Sequence, residues 1–267
     1  MATPPNALRL LLTRPAEDCS RLSQTLAKHG VYSNCLPLLA SLPLPETTEQ
    51  RLRILALDQY QAVLVLSKPA AKLGLALLDR YWPQPPLGPS WFTPGAGSGQ
   101  ILHDYGLKTY WPPQGDTSEA MLALPELQAA LDRQNAKALI FAGVGGRTVL
   151  ADTLSAQGVT VDRLALYRRV LPGYPAGILV QRIKEQRLNA LYVSSAQGLQ
   201  HLIQLAADDW PKLAKLALFV PSARVAQQAH AAGFAKVIDC QGASSDALLG
   251  VLNQYLIRID HKDYRYE

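Results

Sequence analysis

The feature that most constrains this chain is that it repeats itself. AVLVLS (62–67) and ALYVSS (190–195) are each an apolar, β-rich run that ends on serine just before a helical pattern. Ser67 lies 27 residues before Pro94, and Ser194 lies 27 residues before Pro221. Each proline leads into a small-residue turn and another helix, GAGSGQILHDYG in one place and SARVAQQAHAAG in the other. LLLTRP…LAKHGV (10–31) likewise resembles LIFAGV…LSAQGV (139–159), and the runs downstream end in ASLP and RVLP. One such match is what chance allows. An ordered series reads as two similar halves with a period of about 130 residues.

Short β-rich runs alternating with helical patterns are the signature of α/β architecture. LRLLL (8–12) reads as a strand. AEDCSRLSQTLAKHG (16–30) reads as an amphipathic helix, with Leu22 and Leu26 on its inner face and Gly30 as its stop. VYSNCLPLL, AVLVLS, SWFTPG, LIFAGV, VDRLALY, NALYVSS and LALFVPS are further strands, and helices lie between them.

Two divisions into domains suit such a repeat. One is a tandem cut near residue 133. The other is a swap, in which each βαβ unit hands the chain to the other domain through its second strand, at LPLLASLPLP (36–45) and ALYRRVLPGYP (165–175). Both runs exceed the usual strand of about five or six residues, and prolines punctuate them. The swap predicts a discontinuous domain, 1–36 with 173–267, and an inserted domain, 37–172. These are two similar open parallel-sheet α/β domains joined by a two-stranded linker, with a cleft between them.

Composition narrows the partners. Hydrophobic residues make up 48% and charged residues 18% of the chain, which is a folding composition and not a disordered one. The net charge of +5 favours anionic ligands. The cations are scattered and the aromatics beside them few, which argues against nucleic acid. No run approaches the ~18–20 apolar residues of a membrane span, and no signal peptide is recognisable. Cys19, Cys35 and Cys240 are far apart in sequence and form no CxxC pair, the pattern of reduced cysteines in a cytoplasmic protein.

Motifs for cofactors fail one by one. PGAGSGQ (94–100) and GVGGRT (143–148) lack the third glycine of a dinucleotide fingerprint, and no GxxxxGK[ST] occurs. The five histidines show no metal-ligand spacing, and there is no GxSxG elbow. Neither a metal nor a cofactor is expected. Thr13, Ser67, Ser98, Gly143, Ser194 and Ser222 are all expected at the carboxyl end of a strand where a helix begins. The plain reading is that they cap helices. The functional reading is that helix N-termini at the carboxyl ends of strands hold carboxylates or phosphates. In QGDTSEAML, Thr117 or Ser118 is the expected cap, with Asp116 and Glu119 beside it. Tyr167, in LALYRRVLPGY, has two readings as well. It either packs beside a linker strand with Arg168 and Arg169 in solvent, or points into the cleft as a proton donor.

Taken in order, these residues resemble the uroporphyrinogen-III synthase family over nearly the whole chain. The order is strand-TRP, strand-Ser, a glycine-rich turn and GDTSEAML, then a βαβ ending in ALYRR, a strand-SS turn and VPSARVAQQAHAAG. Val220, Ser98-Gly99, Ala223-Arg224 and Lys68-Pro69 depart from the usual pattern. The resemblance implies the swapped two-domain fold. It implies hydroxymethylbilane, a linear tetrapyrrole with eight carboxylates, as substrate. It also implies loss of the terminal hydroxyl, a spiro intermediate that inverts ring D, and closure without a cofactor. Tyr167 matches the tyrosine thought to assist departure of the hydroxyl. Thr13, Arg14, Ser67, Ser98, Gly143, Ser194 and Ser222 are the expected substrate-binding residues, and the chain is expected to be a monomer. The rival is a two-domain binding protein without catalysis, which shares the duplicated halves.

Overall fold

The computed structural model describes residues 8–115, 117–145 and 148–263, with residues 255–263 as backbone. Asp116 of QGDTSEAML, and Gly146 and Arg147 of GVGGRT, lie outside the described residues. In chain order the strands are β1 (Arg9–Leu12), β2 (Tyr32–Cys35), β3 (Ala40–Pro43), β4 (Ala62–Val65), β5 (Ser90–Phe92), β6 (Thr109–Tyr110), β7 (Lys137–Gly143), β8 (Thr160–Val170), β9 (Ala190–Tyr192), β10 (Ala217–Val220) and β11 (Lys236–Asp239). The chain divides into two compact units, Met1–Ala40 with Val170–Glu267, and Ser41–Arg169. It passes from one unit to the other within β3 and within β8, which are neighbours in one sheet.

The discontinuous unit holds a five-stranded sheet in the order β11-β10-β9-β1-β2, with every pair parallel. Parallel strands covered by helices on both faces are buried on both faces. This is why Leu10, Leu11 and Leu12 form an unbroken apolar run, each with no exposed surface. Leu11 packs with Leu191 and Val193 on one side. Leu10 and Leu12 pack with Tyr192 and Phe219 on the other. Helix Ala16–Lys28 buries Cys19, Leu22 and Leu26, a stripe at helical spacing, and keeps Glu17 and Asp18 in its first turn. It ends before Gly30, whose φ of +72° is costly for any other residue. The expected strand VYSNCLPLL is shorter than its sequence suggests. β2 stops at Cys35, two residues before Pro37, which has no N–H to donate. The N–H groups on either side of that proline still bond to the end of β1, Leu36 to Leu12 O at 2.9 Å and Leu38 to Thr13 O at 3.0 Å.

The inserted unit holds a six-stranded sheet in the order β3-β8-β7-β4-β5-β6. Taken as β7, β8, β4, β5, β6, its strands fall in the same spatial order as β1, β2, β9, β10, β11. The two units are therefore circular permutations of one doubly wound pattern, 2-1-3-4-5, with β3 added at one edge. The registers make the correspondence residue by residue. Leu10 pairs with Ala190 and Ala138 pairs with Ala62, and Ala190 stands where Ala62 does, each five residues before the serine that caps the next helix. The core alternates in step, with Val63, Val65, Leu139 and Phe141 on one face and Ala62, Leu64, Ala138 and Ile140 on the other. The sequence repeat is the trace of this shared pattern.

Candidate active site

In an open parallel sheet the loops at the strands' carboxyl ends diverge where the strand order reverses, and ligands bind there. That switch point lies between β1 and β9 in the discontinuous unit and between β4 and β7 in the inserted one. Thr13, Arg14 and Ser194 follow the strands of the first switch and Ser67 and Gly143 those of the second, whereas Ser98 and Ser222 follow β5 and β10, the next strands out.

At the β4–β7 switch the structure brings together Ser67, Gly143 and Tyr167. Ser67 is the N-cap of helix Lys68–Tyr81, and its Oγ accepts the Ala70 N–H at 3.3 Å. The same Oγ lies 2.9 Å from the Tyr167 hydroxyl. Tyr167 reaches it through an irregularity in the sheet. Ala142 pairs with Ala165, but Gly143 pairs with Tyr167, so β8 carries one extra residue at this point. Such a bulge re-aims a side chain that regular alternation would send to the other face. Leu166 and Tyr167 consequently both join the layer of Leu139 and Phe141. The Leu166 carbonyl accepts the Leu44 N–H at 3.0 Å, and the Tyr167 carbonyl accepts the Val144 N–H at 2.8 Å. The ring then lies against Gly143, where a Cβ would stand 2.8 Å from Cζ. Gly143 is needed for that approach and not for its backbone angle.

Tyr167 is thus 2% exposed. The sequence left it either packed beside a linker strand or pointing into the cleft as a proton donor; the structure buries the ring and places its hydroxyl against Ser67. Arg168 and Arg169, the next two residues, are exposed. Gly143 ends β7 but caps nothing, because the following helix begins at Val149 with Thr148 before it. Ser98, expected at a helix start, is instead the third residue of helix Ala96–Asp104, 7% exposed. The cap there is Gly95, which a search for hydroxyl caps passes over. Thr117 caps helix Ser118–Leu122 by accepting the Ala120 N–H at 3.1 Å.

At the β1–β9 switch Thr13 is buried, and its hydroxyl donates to the Tyr192 carbonyl at 2.7 Å. It joins two strands and caps no helix, since Pro15 precedes helix Ala16–Lys28. Arg14 is also engaged within its own unit. Its Nη2 donates to the Tyr192 hydroxyl at 2.7 Å and to the Ala243 carbonyl, and its Nη1 reaches Ser245 Oγ at 3.5 Å. Burial of Tyr192 raises its phenol above the ordinary value, and the Arg14 guanidinium opposes that rise. Ser194 is not the cap of the next helix. Ser195 is, and it accepts the Gly198 N–H at 3.0 Å. By its place as the helix cap Ser195, not Ser194, is the counterpart of Ser67. Ser222 occupies the N-cap position of helix Ala223–Ala231 with no side-chain hydrogen bond to it.

The same registers show how the two copies have diverged. Where one unit has Arg14 and Tyr192, the other has Ala142 and Leu64. The inserted unit instead carries the hydroxyl pair Ser67–Tyr167. Arg163, which the sequence reading passed over, donates from Nη2 to the carbonyls of Gly143, at 3.4 Å, and of Gly145. Among the described residues no group of three or more His, Cys, Asp and Glu could hold a metal ion. No helix among them is long and apolar enough to cross a membrane.

Comparison with known proteins gives a concordant result. The family profile described as uroporphyrinogen-III synthase HemD matches residues 20–250. Curated uroporphyrinogen-III synthases of Salmonella typhimurium and Escherichia coli are each 30% identical to the chain, over 92% of it and 100% of the relative. A mutant uroporphyrinogen III synthase from Thermus thermophilus superposes with a TM-score of 0.55 at 17% identity, over 92% of this chain and 98% of the other. The Helicobacter pylori enzyme does so at 0.58 and 12% identity, over 93% and 99%. These two likenesses show the shared fold; the profile and the curated relatives show the family. The rival of a binding protein without catalysis is not favoured by any of them. A duplicated, permuted α/β chain matched in this way over 92% of its length belongs to the uroporphyrinogen-III synthase family.

Proposed function

We propose that the chain closes hydroxymethylbilane to uroporphyrinogen III, a dehydrating cyclisation with inversion of ring D, and that Tyr167 supplies the proton to the departing hydroxyl. The observation that carries the residue assignment is the 2.9 Å contact of the Tyr167 hydroxyl with Ser67 Oγ at the switch point of the inserted sheet. Ser67 Oγ already accepts the Ala70 N–H, so its own proton is free to point at the Tyr167 oxygen. In that arrangement the phenol proton is left for the substrate. When it moves to the terminal hydroxyl of ring A, water leaves and the Ser67 hydrogen bond stabilises the phenolate. Loss of a proton from ring D at closure restores the phenol. Bilane becomes macrocycle plus water, with no redox step.

The phenol is withdrawn from solvent, and a dry site strengthens the hydrogen bonds that act at the moment of transfer. The reacting end of the bilane has to come to the rim formed by Ser67 and Gly143. Carboxylates are proposed to be held, in the inserted unit, at the N-terminus of helix Lys68–Tyr81 with Ser67 beside it, and, in the discontinuous unit, at the N-termini of helices Ala196–Ala206 and Ala223–Ala231 with Ser194 and Ser222 beside them. Thr13 and Arg14 serve the frame around these ends. The rest of the catalysis is positioning, which can be worth several kcal/mol. The two compact units are proposed to act as the enzyme's two domains, in a cytoplasmic monomer that needs no metal, cofactor or nucleic acid. The test is to mix the protein with hydroxymethylbilane, oxidise the products and separate the isomers. The reading expects the type III isomer. Type I alone, the product of unassisted closure, would reject it.

A further inference from the structure

We propose that Arg163 is a positioning residue that holds the Gly143–Gly145 turn beneath Tyr167 and thereby sets where the phenol stands. The inference rests on the role of Tyr167 given above. Arg163 lies on β8, and its strand partner is Ile140 on β7. From there its half-buried guanidinium runs along the sheet towards the carboxyl end. Nη2 donates to the Gly143 carbonyl at 3.4 Å and to the Gly145 carbonyl. Gly145 has φ +73°, the left-handed conformation that makes a tight turn.

The turn is gripped from two sides by one strand. Arg163 holds two of its carbonyls, and the Tyr167 carbonyl holds the Val144 N–H at 2.8 Å. Between these grips sits Gly143, whose Cα forms the floor under the Tyr167 ring. If the guanidinium is removed, two carbonyls lose a charged donor, which is the stronger kind of hydrogen bond. The turn is then free to rise or tilt. The ring follows its floor, and the hydroxyl leaves the 2.9 Å contact with Ser67. Arg163 touches none of the reacting atoms in this account. Its effect passes wholly through Tyr167, and that makes it separable from a general brace or a carboxylate contact.

The experiment is steady-state kinetics with hydroxymethylbilane on Tyr167→Phe, Arg163→Met, Arg163→Lys and the double variant Tyr167→Phe/Arg163→Met, with a melting curve for each. Small displacements of a catalytic group cost up to about 100-fold; the expected loss for Arg163→Met is about tenfold in kcat, with KM within about twofold of the parent. Arg163→Lys should recover part of it, because an ammonium can still bond one carbonyl. In the double variant kcat should be no lower than in Tyr167→Phe alone, since a ring without its hydroxyl has nothing left to misplace. If Arg163→Met melts far below the parent, Arg163→Lys, alone and with Tyr167→Phe, carries the same comparison. A slow Tyr167→Phe together with a silent Arg163→Met, a multiplicative loss in the double variant, or a loss confined to KM, would overturn the inference alone. Full kcat in Tyr167→Phe would sink the proton-donor reading and this inference with it.

Discussion

Gly143→Ala is the smallest change that tests whether the place of the phenol matters. A Cβ on Gly143 would stand 2.8 Å from Cζ, 3.0 Å from Cε2 and 3.2 Å from Cε1 of Tyr167. Carbon atoms settle at about 3.5–4.0 Å, so the ring has to retreat by roughly 0.5–1 Å. The atom most crowded is Cζ, which bears the hydroxyl. Moving it by that much lengthens the 2.9 Å contact with Ser67 beyond hydrogen-bond range. The backbone adds no penalty, because Gly143 is not among the glycines with positive φ. Overpacking of this kind costs about 1–3 kcal/mol. At roughly 2–4 °C per kcal/mol for chains of about this size, the melting temperature should fall by several degrees. The decisive number is kcat, which should drop to about the level of Tyr167→Phe. The control is Gly74→Ala, two turns along the helix that Ser67 caps. Its Cβ would stand 2.5 Å from Phe141 Cδ2, so it overpacks the same core without touching the phenol. Kinetics below the melting range should find kcat preserved in Gly74→Ala and reduced in Gly143→Ala. Equal kcat in both variants would refute the argument, since overpacking alone would then account for everything.

Other outcomes follow from neighbouring contacts. Thr13→Val removes a buried hydroxyl that bonds the Tyr192 carbonyl at 2.7 Å, and should cost about 1–3 kcal/mol of stability with KM unchanged; a raised KM at an unchanged melting temperature would return Thr13 to the substrate. Cys35 is lowered to about 7 by its hydrogen bond with Cys19, against the opposing effect of burial, while Cys19 is raised by the same contact and by burial. Thiolate is the form that alkylates, so the rate of Cys35 with iodoacetamide should be high above pH 7 and fall as the pH drops through about 7; a midpoint near 9 would contradict the pairing. Exhaustive dialysis and chelation should leave turnover intact, and recovery of a lost activity by one added metal or nucleotide would count against the cofactor-free reading.

The fold was largely legible because its signals are local and repeated. Runs such as LLL at 10–12 and AVLV at 62–65 are apolar without alternation, as strands buried on both faces must be. Helix Ala16–Lys28 shows its buried stripe and its glycine stop in the sequence itself. The site was legible in outline only. A serine before a helix is readable, but of Ser194 and Ser195 only the exact start of the helix shows which one caps. Gly95 offers no side chain to recognise as a cap, so the nearby Ser98 took its place in the reading. Thr13 is committed to a carbonyl 179 residues away, a partner that no local pattern reveals. The extra residue in β8 exists only as a difference between two strands. Arg163 reads as an ordinary solvated cation until the turn it holds is known.

The most direct test of the central claim is kcat for Tyr167→Phe against the parent, measured with hydroxymethylbilane after both are shown to melt alike. The substitution removes one oxygen and keeps the ring that packs on Gly143. A positioned acid is typically worth ~10²–10⁴-fold, and water admitted in its place recovers part of that. The account predicts kcat lower by about 10–100-fold with KM nearly unchanged, because the substitution leaves the proposed carboxylate contacts in place. Full kcat in Tyr167→Phe would remove the phenol from the chemistry and leave positioning of the bilane as the whole of the catalysis.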